Sequence, residues 1–187
     1  MTKPVDHKQF YRTPWGMAFI AYLMAMGLVG ALTPPDILTA YSWTRPFTDF
    51  MASLVSQIDK VTALGIDEDI NRFYFSVMWA CSPMLVLMYV LFILDDKRRK
   101  IDSLAYYRKD KSKAVKAVFV LLILGLISYH VEWLTFARSR IVLGSFGTNF
   151  GRFFSPQVFV VTPVICAFPA ITLVVIDLTD RIKRNIK

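Results

Sequence analysis

Two cysteines and two histidines are all that the 187 residues hold of the side chains best suited to redox and metal chemistry. Cys81 and Cys166 each stand alone inside an apolar run, whereas a disulfide relay among membrane helices needs exposed cysteine pairs. Both are therefore read as small apolar packing residues that stay reduced. His7 and His130 cannot supply bis-histidine haem ligation between the helices of one chain. The sequence also lacks zinc-ligand spacing, a serine nucleophile elbow, a paired-carboxylate site and a dinucleotide fingerprint. A midplane substrate site of the transporter kind finds neither mid-depth charges nor an internal repeat. These absences point away from an enzyme and leave no expected cofactor or metal.

What the chain has in quantity is apolar surface. Hydrophobic residues make up 55% of it, and the mean hydropathy is +0.46, more than a soluble domain of this size would cover. The apolar residues gather into four runs, Trp15 to Leu32, Phe73 to Leu94, Val115 to Leu134 and Val158 to Ile176. Each has roughly the 17–25 residues that a helix needs to cross hydrocarbon. A helix is required because backbone groups in lipid must satisfy one another within the segment. The first run follows a basic tail, and Val29-Gly30-Ala31 resembles a signal cleavage site. Its length exceeds the roughly 7–15 residues of a signal core, which favours a retained anchor.

A net charge of +8 and a pI near 9.6 raise the question of nucleic acid, and the positions of the basic residues answer it. Lys3, Lys8 and Arg12 precede the first run. Lys97, Arg98, Arg99, Lys100, Arg108, Lys109, Lys111 and Lys113 lie between the second and third, and Arg181, Lys183, Arg184 and Lys187 follow the fourth. The other two connections carry only Arg45, Lys60 and Arg72, and Arg138, Arg140 and Arg152. This bias places both termini in the cytoplasm, and juxtamembrane charge serves anionic lipid headgroups, so no direct nucleic-acid contact is expected.

Thr33-Pro34-Pro35 should stop the first helix, because the prolines withdraw donors and clash with the preceding turn. In the exterior connection that follows, Phe47, Phe50, Met51, Leu54, Val55, Ile58, Val61 and Leu64 recur at helical spacing among polar residues. The pattern predicts one amphipathic helix over 46–64, with Thr44 as its cap, Pro46 in its first turn and Asp49 complementing its dipole. Its apolar face, with Phe47, Phe50, Leu54 and Ile58, either lies on the outer leaflet or docks a partner. Asp67, Glu68 and Asp69 lack the spacing of a calcium loop and read as a cap for the next helix. Pro83, Pro163 and Pro169 fall inside crossings, where each removes a backbone bond.

The cytoplasmic basic loop 95–113 is the most charged stretch, and it reads either as a membrane anchor or as a docking surface through Arg98, Arg99, Tyr106 and Tyr107. The glycine and phenylalanine repeat from Gly144 to Gly151 has no phosphate-loop lysine and reads as a flexible loop at the outer interface. His130 and Glu132 are the ionisable pair at the edge of the third run. An intramembrane acid is a functional hypothesis by default, yet these two lie within a turn of the outer surface and point in different directions on a helix.

The acidic and basic turn Asp95-Asp96-Lys97-Arg98-Arg99, the segment Tyr106-Tyr107-Arg108 and the ending Arg181-Ile182-Lys183-Arg184 fall in an order that resembles small membrane proteins encoded by integrating conjugative elements. The resemblance covers most of the chain, without that family's glycine-rich patch beside the tyrosines and with a longer last connection. It implies a non-catalytic role in or near the inner-membrane part of a DNA-transfer apparatus. The expected fold is an all-α membrane bundle of four transmembrane helices with an exterior amphipathic helix. The expected function is a structural or assembly subunit of a larger envelope complex, contacting other subunits, with an oligomeric channel or small transporter as the alternative. Export reporters fused after Gly65 and after Gly147 should both be active outside the cytoplasm. Two cytoplasmic results would reverse the orientation, and one would change the number of crossings.

Overall fold

In a computed structural model, the structure describes residues 14–63, 67–95, 111–130, 153, 157–172 and 174. Seven helices occur among them: α1 (Pro14–Leu32), α2 (Ile37–Ala40), α3 (Thr44–Leu54), α4 (Gln57–Thr62), α5 (Glu68–Asp95), α6 (Lys111–Tyr129) and α7 (Gln157–Thr172). No strand is present among the described residues. α1, α5 and α6 are long and apolar enough to cross a membrane, and the chain is an integral membrane protein on that ground. The described part of the fourth apolar run is the shorter helix α7. At 1.5 Å per residue it reaches about 24 Å, against roughly 30 Å of hydrocarbon.

α1 stops where the prolines require. The Thr33 N–H donates to the Val29 carbonyl at 3.0 Å and its hydroxyl donates to the same oxygen, after which Pro34 and Pro35 withhold the next donors. The stretch that follows α1 then departs from the expected single helix. Val55 is extended, with φ −132° and ψ 97°, and its N–H closes on the Met51 carbonyl, so α3 ends there and α4 starts afresh after Ser56. Thr44 does not cap α3 either. It is the first helical residue, and its hydroxyl donates backwards to the carbonyls of Ile37 at 2.8 Å and Tyr41 at 2.7 Å, fastening α3 to α2.

The face that α3 buries is also not its most apolar one. Thr44, Thr48, Met51 and Ala52 are inside, while Phe50 and Leu54 are exposed. Small residues let α3 approach closely, and the Thr48 hydroxyl satisfies itself on the Arg45 carbonyl at 3.0 Å. The break at Val55 then turns α4 so that Gln57, Ile58 and Val61 are all buried. The target of this packing is α5. At 28 residues, α5 is about 42 Å long, more than a bilayer crossing needs, and α2, α3 and α4 all pack against it. Phe73 of α5 joins Ile37 and Leu38 of α2 in one buried cluster, with Phe47 and Val29 against it.

The main core runs down the bundle through Tyr22, Met51, Ile58, Tyr74, Phe75, Met78, Leu85 and Val160. α1 and α5 are antiparallel, since Val29 lies near Phe73 whereas Trp15 and Phe92 share a cavity at the opposite end. α7 runs parallel to α5. The Gln157 amide donates to the Leu23 carbonyl of α1 at 3.0 Å, and further along Phe168 stacks on Tyr89 with ring centroids 4.0 Å apart. α6 comes close to α7 at Gly125, where an added Cβ would lie 3.0 Å from that of Cys166 and 3.5 Å from the Pro163 Cα. Gly125→Leu should therefore force the helices apart and lower stability in detergent by about 1–3 kcal/mol. Thermal unfolding of the purified protein measures this, and an unchanged midpoint would show that α6 packs elsewhere.

Candidate functional site

Gln57 joins four segments of the chain through one side chain. It is the first residue of α4, has 0% exposure, and points its amide between α5, α6 and α7. Its Nε2 donates to the Tyr129 carbonyl at 2.7 Å and to the Phe159 carbonyl at 3.2 Å, and its Oε1 accepts the Trp79 indole N–H at 2.7 Å. The two carbonyls share a chemical predicament. Tyr129 is the last residue of α6, so its oxygen is among those a helix leaves without an internal donor. Phe159 stands four residues before Pro163, whose missing N–H would have been its partner. One amide group thus repairs a helix end and a proline gap at once.

The same remedy appears within α5. Pro83 deprives the Trp79 carbonyl of its helical donor, and the Ser82 hydroxyl donates to that oxygen at 2.8 Å. The Trp79 ring meets the Tyr129 ring edge-on at 5.7 Å, and the Tyr129 hydroxyl lies 3.2 Å from that of Ser56. Trp79, Tyr129, Ser56 and Gln57 therefore form a joined set, in which each side chain restricts the orientation of the next.

A second, more exposed clamp holds the outer face of the cap. Arg72 of α5 donates through Nη2 to Asp49 of α3 at 2.9 Å and through Nη1 to Asp59 of α4 at 2.7 Å. Its side chain is 19% exposed while both carboxylates are mostly in solvent, so each pair is worth at most about 1 kcal/mol and weakens with salt. Its effect is geometric, because one planar guanidinium fixes the angle between two short helices. Asp49, expected to serve the dipole of its own helix, is engaged by this arginine.

The cap also carries exposed apolar side chains on its outer surface. Phe50 is 61% and Leu54 65% exposed, one turn apart on α3, and Trp43 and Tyr41 are exposed just before that helix. Trp43 is held in place by edge contacts to Phe73 at 5.9 Å and Phe47 at 6.1 Å.

The residues singled out from the sequence separate into four groups. Phe50 and Leu54 are on this outer face. Phe47 is half-buried against the core and Ile58 is fully buried in it, so Ile58 is withdrawn from any contact surface. Arg98, Arg99, Tyr106, Tyr107 and Glu132 lie outside the described residues. His130 follows the last turn of α6, half-exposed, with its ring edge-on to Tyr129 at 5.6 Å and its N–H on the carbonyls of Leu126 and Ile127. Cys81 and Cys166 are free thiols, the second buried. Among the described residues, no three His, Cys, Asp or Glu side chains come together as metal ligands would.

Sequence reasoning passed over Gln57 and Arg72, counting them as solvent-facing or as connection charges. One signal for Gln57 was present: Pro163 requires some donor to reach the Phe159 carbonyl. The site and fold together define an all-α integral membrane protein with a helical cap braced on its longest helix. Comparison with protein-family models, with curated proteins and with solved structures returns no match.

Gln57→Leu removes the donor to two carbonyls and the acceptor of the Trp79 N–H while keeping much of the volume. It should destabilise the protein by about 2–4 kcal/mol, toward the upper end of what a few buried hydrogen bonds supply in membrane proteins. Asp49→Asn and Asp59→Asn should each lose less than about 1 kcal/mol, and high salt should erase the difference. Denaturant titration in mixed micelles checks both. A Gln57→Leu loss no larger than that of the aspartate variants would deny the lock its role.

Proposed function

We propose that the chain is a non-catalytic subunit or assembly scaffold of a larger envelope complex, set in a bacterial inner membrane. In this reading it crosses four times, α7 belongs to the fourth crossing, both termini are cytoplasmic and the cap of α2 to α4 is on the outer side. The single observation that carries it is the combination of a braced cap with an exposed apolar face. Phe50 and Leu54 are exposed on α3, which Arg72 ties to α5 through Asp49, next to α4, which Gln57 anchors to the bundle. A surface held in place before binding loses little freedom when a partner arrives, and it suits docking better than catalysis. The apolar pair, with Trp43 and Tyr41 beside it, fits an apolar segment of another subunit at the outer face of the membrane.

The basic, tyrosine-bearing loop 95–113 supplies the second contact surface on the cytoplasmic side, where it also meets anionic headgroups. The resemblance to small membrane proteins of conjugative elements supports the same reading and suggests a DNA-transfer apparatus as the complex. The competing reading is an oligomeric channel or small transporter. The buried polar set at Gln57 favours the scaffold, because its donors are directed at backbone carbonyls and hold helices together.

Phe50→Ser with Leu54→Ser should release an outer-side partner from the affinity-purified complex, and Tyr106→Ala with Tyr107→Ala a cytoplasmic one, each while leaving membrane insertion unchanged. Anchors of this kind commonly contribute over about 1 kcal/mol, so a loss of at least roughly fivefold in co-purifying partner is expected. Retention of every partner by both double variants, together with altered solute flux in reconstituted vesicles, would overturn the scaffold in favour of the pore.

A further inference from the structure

Buried serine and threonine hydroxyls in this bundle are satisfied locally. Thr48 donates to the Arg45 carbonyl at 3.0 Å, Ser76 to Arg72 at 2.7 Å, Ser82 to Trp79 at 2.8 Å and Thr172 to Phe168 at 2.9 Å. Each reaches a carbonyl three or four residues back on its own helix. A tyrosine hydroxyl stands beyond its ring and cannot turn back in this way, so a buried tyrosine needs a partner from elsewhere in the bundle. Tyr89 has one in Thr172 Oγ1, at 2.8 Å. Tyr22 of α1 and Tyr74 of α5 do not. They are 6% and 0% exposed, and neither hydroxyl has a hydrogen-bond partner among the described residues.

The two tyrosines belong to one core, and their hydroxyls lie within electrostatic reach of each other. Gln157, the first residue of α7, approaches from the third helix. Its side chain interacts with the Tyr74 hydroxyl without meeting it at the distance and angle of a direct hydrogen bond. Its Nε2 is committed to the carbonyls of Leu23, next to Tyr22 on α1, at 3.0 Å and of Phe153 at 2.6 Å, which leaves Oε1 to face a donor. Buried polar groups that interact across more than hydrogen-bond distance are commonly bridged by water, and a hydroxyl buried bare is costly. No charged side chain is buried among the described residues, so this neutral set of two phenols and an amide selects neither a cation nor an anion. Water both donates and accepts, and it can serve all three groups at once.

We propose that an ordered water bound to the Tyr22 and Tyr74 hydroxyls and the Gln157 amide oxygen joins α1, α5 and α7 inside the apolar core. Tyr22 stands near the midpoint of a helix long enough to cross a membrane, so this water is held deep within the bundle. It adds a second polar tie to α1 beside the Gln157 bond on Leu23, and it does for these hydroxyls what Gln57 does for the carbonyls at the cap. The proposal is independent of the scaffold reading, since the exposed face of the cap plays no part in it.

The test is synchrotron radiolysis of the full chain in lipid nanodiscs, in which bound water yields hydroxyl radicals and mass spectrometry reads the side chains they modify. Tyr22 and Tyr74 should each be modified at least roughly fivefold faster than Phe75, an aromatic residue with the same 0% exposure as Tyr74, because only the tyrosines touch the water. Tyr74→Phe removes one partner of the water and should lower the thermal midpoint by about 2–4 °C, whereas deletion of a bare hydroxyl would leave it unchanged or raise it. Modification of Tyr74 no faster than that of Phe75 overturns the proposal, even where the midpoint falls, because Tyr74 then bonds Gln157 directly. An unchanged or raised midpoint in Tyr74→Phe overturns it as well. Should Tyr74→Phe fail to fold, the modification rates of the wild-type protein decide alone.

Discussion

A carbonyl oxygen that loses its helical donor inside an apolar medium has no water to accept from, and leaving it bare there is expensive. This chain creates that situation at Pro83, at Pro163 and at the end of α6. Trp79 loses its donor to Pro83, Phe159 loses its donor to Pro163, and Tyr129 ends α6. The donors that replace them are Ser82 for the first and Gln57 for the other two. Much of the architecture at the cap end follows from where Gln57 has to be. To bring its amide between α5, α6 and α7, α4 must lie across the bundle, and α3 must end early enough to let α4 turn inward.

The break at Val55 is the local expression of that constraint. A single helix over residues 46–64 would have carried Gln57 along the same line as the polar residues of α3, facing out. The turn gives up the continuous amphipathic pattern and in exchange buries Gln57, Ile58 and Val61 on α5. Arg72 then fixes the angle between the two short helices by gripping one carboxylate from each. With the buried face of α3 built from threonine, alanine and methionine, the larger apolar residues Phe50 and Leu54 remain outside. The exposed apolar face is thus a consequence of how the polar lock is satisfied.

The two ends of the bundle solve different problems. At the cap end, polar side chains and a salt-bridged clamp hold short helices on α5. At the opposite end, aromatic and aliphatic side chains of α1, α5 and α7 meet without filling the space between them. Close approach of α6 to α7 at Gly125 and Cys166 depends on small residues, the common currency of helix contacts in lipid, where apolar surface alone does not drive association.

By itself the sequence determined that the chain is helical and lives in a membrane, where its first, second and third apolar runs form long helices, and where the first one stops. Those features are governed by composition over a window and by proline chemistry, which act on the chain locally. It did not reveal that the stretch 46–64 is two helices, that Ile58 is buried while Phe50 is exposed, or that Gln57 and Arg72 organise the cap. The apolar spacing of residues 46–64 was legible, but periodicity reports only that a stripe exists, and the partner of a stripe is chosen by the whole bundle. Tertiary structure decided these points because a hydrogen bond from Gln57 to the Tyr129 and Phe159 carbonyls joins residues 72 and 102 positions apart. The demand for such a donor is written at Pro163, but which residue meets it depends on how the helices pack in three dimensions.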